Sequence, residues 1–302
     1  MPLHEACGVV GIARTTSVLA DLEISLRALQ HRGQESAGIT IFNDKHDTHK
    51  GMGLVSSVFS EISNGFSKGN AGIGHVRYST AGGSTIRNAQ PVLLKTDLGE
   101  FSLAHNGTIS NHKKIREMVN EEELTSDTDS EVVLRIINQK METGMNAIDA
   151  IRDTMNILVG SYSITMMHDD KMYAFRDPLG IKPLAAGRFE DGCIIASESS
   201  AMDTLGATFD RDIEPGEIVS INADGVTSHG IEANERKAFC MFEYVYFARA
   251  DAKMDGVLAY SVRHRLGRQL WKEHPVKADV VIAVPDSGTA FALGYSEASD
   301  IP

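Results

Sequence analysis

The order in which strand-like and helix-like segments follow one another constrains this chain most. Residues 8–13 (GVVGIA), 36–42 (SAGITIF) and 72–78 are short, apolar and rich in β-branched residues, so each reads as a strand. Residues 101–104 read as another short strand, ending at His105-Asn106-Gly107, a turn signal. Between these strands, Val18, Leu22, Leu26 and Leu29 recur at helical spacing, with Ser17 as the N-cap and His31-Arg32-Gly33 as the end. Two more helical patterns follow. Thr128-Asp129-Ser130-Glu131 has the form of a capping box, with Val132, Val133, Ile136 and Ile137 on one face behind it. Residues 147–158 give the second. Strands then return at 161–167, 171–175, 193–197 and 217–221. Strands, helices and strands again predict a layered α+β fold, not alternating α/β units.

The pattern changes at the polar stretch 232–237 (EANERK), which reads as a linker. Beyond it Leu258, Val262, Leu266 and Leu270 form a helix stripe. Residues 279–284 (DVVIAV) read as a strand buried on both faces of a parallel sheet. That strand leads through Pro285-Asp286-Ser287-Gly288-Thr289 into an apolar helix. Strand, small-residue loop and helix is the arrangement with which α/β folds hold phosphates.

Bulk properties narrow the function. A net charge of −12 argues against nucleic acid as the main partner. No stretch approaches the roughly 20 apolar residues that span a bilayer, and the N-terminus lacks a secretory signal. The chain is therefore expected in the cytoplasm, without membrane or nucleic acid. Cys7, Cys193 and Cys240 lie far apart with no CxxC pair, which points to a reducing compartment. Three cysteines also cannot complete a four-cysteine cluster site within this chain.

Cys7 heads the first strand. A thiol attacks as thiolate and needs a base, and the sequence positions no histidine beside it. The α-amino group, with a reference pKa of about 8, would serve if Cys7 were the first residue. A lone cysteine is more often a small buried hydrophobe; here other segments argue otherwise. GHVRYSTAG (74–82) carries Arg77, whose guanidinium can grip both oxygens of a carboxylate. Asn106 and the Gly107 N–H can together form an oxyanion hole. Asp129, at a helix start, can pair with a ligand ammonium, although capping is the commoner role there.

Taken in order, CGVVGI, LQHRGQESAGI, GHVRYSTAG, LAHNGTISN, SDTDSE and RDPLGIKPL resemble the class II glutamine amidotransferase domain, an N-terminal nucleophile hydrolase. The resemblance implies a four-layer αββα sandwich over 7–235, preceded by a propeptide at 1–6. It implies Cys7 as nucleophile, Arg77 on the glutamine carboxylate, Asp129 on its ammonium, Asn106 and Gly107 on the oxyanion, and Arg32 supporting the pocket.

Within that class, RDPLGIKPL, ASESSA (196–201), CMFEYVYFARADAKMDG (240–256) and VIAVPDSGTAFALGY (281–295) resemble the amidophosphoribosyltransferase family. Ser200 departs from the cysteine expected in ASESCA. Residues 240–302 then resemble the start of an α/β phosphoribosyltransferase domain without its acidic phosphoribosyl-binding motif, so the chain is expected to be truncated. The implied reaction turns glutamine and phosphoribosyl pyrophosphate into 5-phosphoribosylamine, the first step of purine synthesis. The rival is a stand-alone glutaminase that feeds ammonia to another protein. The resemblance further implies magnesium, approached by Ser287, a [4Fe–4S] cluster with Cys240 as one ligand, and a homo-oligomer. Ser287 fits a helix cap equally well, and Cys193 reads as core.

Overall fold

The structure, a computed structural model, describes residues 7–62, 65–78, 83–231 and 236–302. From the N-terminus the chain forms β1 (Gly8–Arg14), α1 (Leu19–Ala28), β2 (Ser36–Asn43), β3 (Lys45–Met52), α2 (Val55–Ser60) and β4 (Ala71–Arg77). Then come β5 (Val92–Thr96), β6 (Gly99–Ile109), α3 (His112–Arg116), α4 (Asp129–Glu142) and α5 (Ala147–Met155). The strands β7 (Gly160–His168), β8 (Lys171–Arg176), β9 (Ala185–Phe189) and β10 (Gly192–Ala196) follow. After α6 (Ser199–Leu205) come β11 (Thr208–Asp212), β12 (Glu217–Asn222) and β13 (Gly225–Ile231).

These strands make two antiparallel sheets, in the orders β11-β9-β10-β1-β4-β2-β3 and β13-β12-β8-β7-β6-β5. Their facing sides share a core of aliphatic, alanine and methionine side chains, including Val9, Ile73, Ala104, Met167, Met172, Ala186 and Ile195. The outer side of the first sheet buries α1, α2 and α6 through Leu22, Leu26, Val58 and Met202. The outer side of the second buries α4 and α5 through Val133, Ile137 and Ile151. The four layers are those of the αββα sandwich.

The helix over 19–28 starts later than the pattern predicts. Val18, not Ser17, holds the N-cap position, and no side chain caps it. Its seat on the sheet is cut by glycines: a Cβ at Gly72 would stand 2.8 Å from Leu22 Cδ1, and one at Gly74 2.9 Å from Leu26 Cδ1. Alternate glycines on one face of β4 therefore let the helix lie close. The strand β3 (KHDTHKGM) was not anticipated, because its polar sequence carries no alternating apolar face. It sits at the sheet edge, joined to β2 by a tight turn in which Asp44 has φ 64°.

Beyond the sandwich lie a short π-helical turn (Glu243–Phe247), the pair of bridges Lys253–Met254 and Val257–Leu258, α7 (Ala259–Glu273) and α8 (Gly288–Ser299). Residues 232–235 of the expected linker and the propeptide 1–6 lie outside the described residues. The stripe on α7 is not its buried face. Leu266 and Leu270 are exposed, and Ala259, Arg263 and Gly267 are buried instead. Gly267 is small because α8 crosses there, where a Cβ on it would meet the Phe291 carbonyl at 2.0 Å, and Arg263 is buried by donating to the Tyr244 and Ala248 carbonyls. Residues 279–284 are not a strand either: no described strand pairs with them, and Ile282 and Val284 are 79% and 81% exposed. An apolar run needs sheet neighbours to become a buried strand, and propensity alone does not supply them.

Leu26 is fully buried between α1 and β4. Leu26→Ala should therefore lower stability by about 2–5 kcal/mol, read as a lower urea midpoint with an unchanged slope.

Candidate functional site

Cys7 immediately precedes β1, the central strand of the first sheet. Antiparallel pairing of Gly8 with Val76 sets it opposite the end of β4, where Arg77 emerges. The Cys7 side chain is buried, and its Sγ lies 3.4 Å from the Tyr78 carbonyl oxygen. Burial pushes the thiol up from its ordinary value, while the Tyr78 contact and the cations Arg77, Lys182 and Arg32 pull the other way. Lys182 is itself 1% exposed and lies 5.7 Å from the centre of the Phe247 ring. Sequence reasoning gave it no role, since nothing in RDPLGIKPL says that its lysine turns inward.

Asn106 comes from the second sheet. The expected turn at His105-Asn106-Gly107 is a correction, because β6 runs straight through it, paired with β7 from Phe101 to Ile109. The glycine is needed there all the same. Gly107 has φ +144°, and a Cβ on it would stand 2.0 Å from the Ser161 carbonyl. Asn106 is completely buried. Its Oδ1 accepts from the Cys7 nitrogen at 3.4 Å, and its Nδ2 has no hydrogen-bond partner among the described residues.

Asp129 opens α4 but does not cap it. Thr128 does, accepting from the Glu131 N–H at 3.4 Å. The other half of the capping box is redirected: Glu131 accepts from the Thr125 and Ser126 N–H groups instead of reaching back to Thr128. This leaves Asp129 to face β6, where Oδ2 accepts from the Ile109 N–H at 2.9 Å and Oδ1 lies 3.7 Å from His105 Nδ1. Burial alone would raise this carboxyl, but His105 and the Ile109 N–H hold it below its ordinary value. Arg77 is buried, 3.9 Å from Glu35, and donates to the Gly83 carbonyl at 3.3 Å. Residues 79–82 of its loop lie outside the described ones.

Arg32 has no solvent exposure. Its Nε donates to the Cys7 carbonyl at 2.8 Å, and its two terminal nitrogens reach Glu198 at 2.6 Å and Glu243 at 2.8 Å. Glu198 also meets His31 Nε2 at 2.9 Å and the Ser200 hydroxyl at 3.1 Å, which gives the unexpected serine a use. Burial opposes charge on Glu198, yet Arg32 and His31 bring its carboxyl down to about 2.

Cys7, Arg32, Arg77 and Asn106 thus meet at the head of β1, while Gly107 follows Asn106 on β6 and Asp129 lies on the same strand's Ile109 N–H. Cys240 and Ser287 do not join them. Cys240 is half-buried, with its N–H on the Ile181 carbonyl. Ser287 stands before α8 without capping it. Among the described residues no group of three His, Cys, Asp or Glu side chains is placed to hold a metal ion. Cys193 is core. The 880 Å³ cavity lined by Arg14, Phe189, Asp191 and Asp210 includes none of the candidate residues. No helix among the described residues is long and apolar enough to cross a membrane.

The class follows from the fold together with the match of residues 75–204 to the model of the glutamine amidotransferase domain. The amidophosphoribosyltransferase of Methanothermobacter thermautotrophicus is 46% identical over 99% of this chain and 65% of its own length. That of Methanocaldococcus jannaschii is 43% identical, over 98% and 67%. The solved B. subtilis glutamine phosphoribosylpyrophosphate amidotransferase, in complex with ADP and GMP, superposes with a TM-score of 0.91 at 37% identity, over 98% of this chain and 65% of that one. The chain belongs to the amidophosphoribosyltransferase family, and it spans about two thirds of the length of these curated relatives.

The depressed Glu198 carboxyl makes stability depend on pH. Its folded value of about 2 lies below its ordinary 4.5, so it stabilises the fold above about pH 4.5 and that stability is lost as pH falls toward 2. In denaturant melts at stepped pH, Glu198→Gln should be less stable than the parent near neutrality, with the gap closing between those two values.

Proposed function

We propose that this site hydrolyses the side-chain amide of glutamine, with Cys7 as the nucleophile. The observation that carries the reading is the buried Asn106 Nδ2, which has no hydrogen-bond partner among the described residues. A buried donor without an acceptor is costly, so its persistence beside a thiol asks for a transient acceptor. The oxyanion formed when a thiolate attacks an amide carbonyl is such an acceptor. The Gly107 N–H is the second donor. Arg77 takes the glutamine α-carboxylate and Asp129, held ionised, takes the α-ammonium. Arg32 supports the site by holding the Cys7 carbonyl.

The base is the α-amine of Cys7 itself, once residues 1–6 are removed. It takes the thiol proton and returns it to the departing nitrogen, so that ammonia leaves and a thioester to Cys7 remains. Water, deprotonated by the same amine, then releases glutamate and restores the thiol.

For the whole enzyme, the reading continues. We divide the chain into a propeptide 1–6, a glutaminase unit 7–235 and the beginning of a phosphoribosyltransferase unit at 240–302. Ammonia from the first unit would displace pyrophosphate from phosphoribosyl pyrophosphate, giving 5-phosphoribosylamine for purine synthesis. Family likeness over 99% of the chain supports this over a stand-alone ammonia-supplying subunit, because it extends past residue 235. Magnesium at the phosphoribosyl site, with Ser287 near it, a cluster on Cys240, a homo-oligomer and a cytoplasmic location belong to the same proposal.

Asn106→Ala should lower glutaminase turnover on the order of 100-fold with little change in KM, because the lost donor acts in the transition state. Arg77→Lys should mainly raise KM, since lysine keeps the charge without the two-pronged grip. Steady-state glutamate release measures both, and intact turnover in Asn106→Ala would refute the oxyanion assignment. Intact mass of active protein should show Cys7 as the first residue. Full activity in protein that retains residues 2–6 would exclude the amine as base.

A further inference from the structure

All three nitrogens of the Arg32 guanidinium are engaged. Nε holds the Cys7 carbonyl, while the two terminal nitrogens take both oxygens of Glu243, each at 2.8 Å. This is the two-pronged geometry in which an arginine is held most rigidly by a carboxylate. Glu198 engages one of the same nitrogens from the other side. Its remaining oxygen is taken by the Ser200 hydroxyl and the Arg249 N–H, both at 3.1 Å.

Arg32, Glu198 and Glu243 are at most 2% exposed, so no water substitutes for a missing partner. Glu243 differs from the others in origin. It lies in the π-helical turn after the linker, 211 residues from Arg32 in sequence, on the segment that leads into α7. Among the described residues no hydrogen bond or ion pair joins the Glu243 side chain to Cys7, Asn106, Arg77 or Asp129; its partner is Arg32.

We propose that Glu243 is a positioning residue for the nucleophile: by orienting Arg32 it sets the Cys7 main chain, so that the glutaminase centre is completed by the segment beyond residue 235. The proposal rests on the glutaminase reading. It assigns the amidase centre a dependence on a residue that the sequence places outside the amidase unit. Movement of the turn at 243–247 would be transmitted to Cys7 through one rigid side chain.

The test uses the full chain with Glu243→Gln, and Glu243→Asp beside it. Glutamine keeps the shape but removes the charge; aspartate keeps the charge but falls one methylene short of the two-pronged contact. Turnover is expressed per Cys7 that can be alkylated by iodoacetamide, identified by peptide mass, so that misfolded protein drops out of the count. The expected result is a fall in kcat of about tenfold to a hundredfold for at least one variant, as for other small displacements of a reacting group. KM for glutamine should stay within about twofold of the parent, because the Arg77 and Asp129 contacts are untouched. A purely structural role would lower the melting temperature and leave kcat per reactive Cys7 unchanged. That outcome in whichever variant folds overturns the proposal. If the parent chain proves unable to hydrolyse glutamine, the glutaminase reading fails on its own. The positioning role is then read from the Cys7 alkylation rate near neutral pH, which should shift by about threefold or more in the variants; an unshifted rate overturns it.

Discussion

Two sheets can share a core only if their facing side chains fill it without holding them apart, and the placement of the site depends on that close approach. The inner layer is built from alanine, valine, isoleucine and methionine, with one leucine and one cysteine. Met172 reaches so near to β1 that a Cβ on Gly11 would stand 2.9 Å from its sulfur. Closing the sandwich this tightly brings the start of β1 against the middle of β6. Cys7 and Asn106, 99 residues apart, then meet across the sheets at 3.4 Å. Neither sheet alone contains a site; their contact does.

The same closure sets an electrostatic problem at the head of β1. Arg32, Arg77 and Lys182 are all nearly or wholly buried around one thiol. Cations taken out of water must be compensated where they stand. Glu198 and Glu243 compensate Arg32, and Glu35 lies near Arg77. The thiol is therefore subject to two opposed influences, burial that disfavours its ionised form and cations that favour it. Burial is the larger influence and the thiol is pushed up, which is why the chemistry calls for a proton acceptor next to the sulfur and not merely a positive field.

Much of the sandwich was legible because its strands are buried on both faces and read as apolar runs. β1, β2, β4, β7 and β10 fall within a residue or two of their predicted spans. What the sequence hid has physical causes. The edge strand β3 lies partly in solvent, so its alternation vanished under His, Lys and Asp. His105-Asn106-Gly107 looked like a turn because a short window cannot see β7, whose pairing keeps β6 extended. Residues 279–284 show the reverse error, an apolar run with no described strand to pair with. In the proposed site, Cys7 at a strand head, Arg77 at the end of β4 and Asn106 before a glycine are legible because several motifs point at them together. Lys182, Glu198 and Glu243 were not assigned roles, since a charged residue reads as surface until its buried partner is located, and those partners lie 166 and 211 residues away for the two glutamates.

Asn106 shows how a single side chain can answer two requirements of the proposed chemistry. A carboxamide has an acceptor and a donor pointing in different directions. With the acceptor turned to the Cys7 nitrogen, the donor is fixed in orientation before any substrate arrives. An oxyanion stabiliser is effective in proportion to how little it must reorganise at the moment charge develops. The contact with the Cys7 nitrogen therefore matters twice: it orients the group proposed as base, and it preorganises the donor proposed to receive the oxyanion. Gly107 extends the same logic along β6. Its positive φ stands directly beside Asn106 without breaking the pairing with β7, so a backbone conformation that only glycine adopts readily is held within a continuous ladder. The site is thus built on the strands themselves and not on the loops that join them, and its precision comes from the sheet.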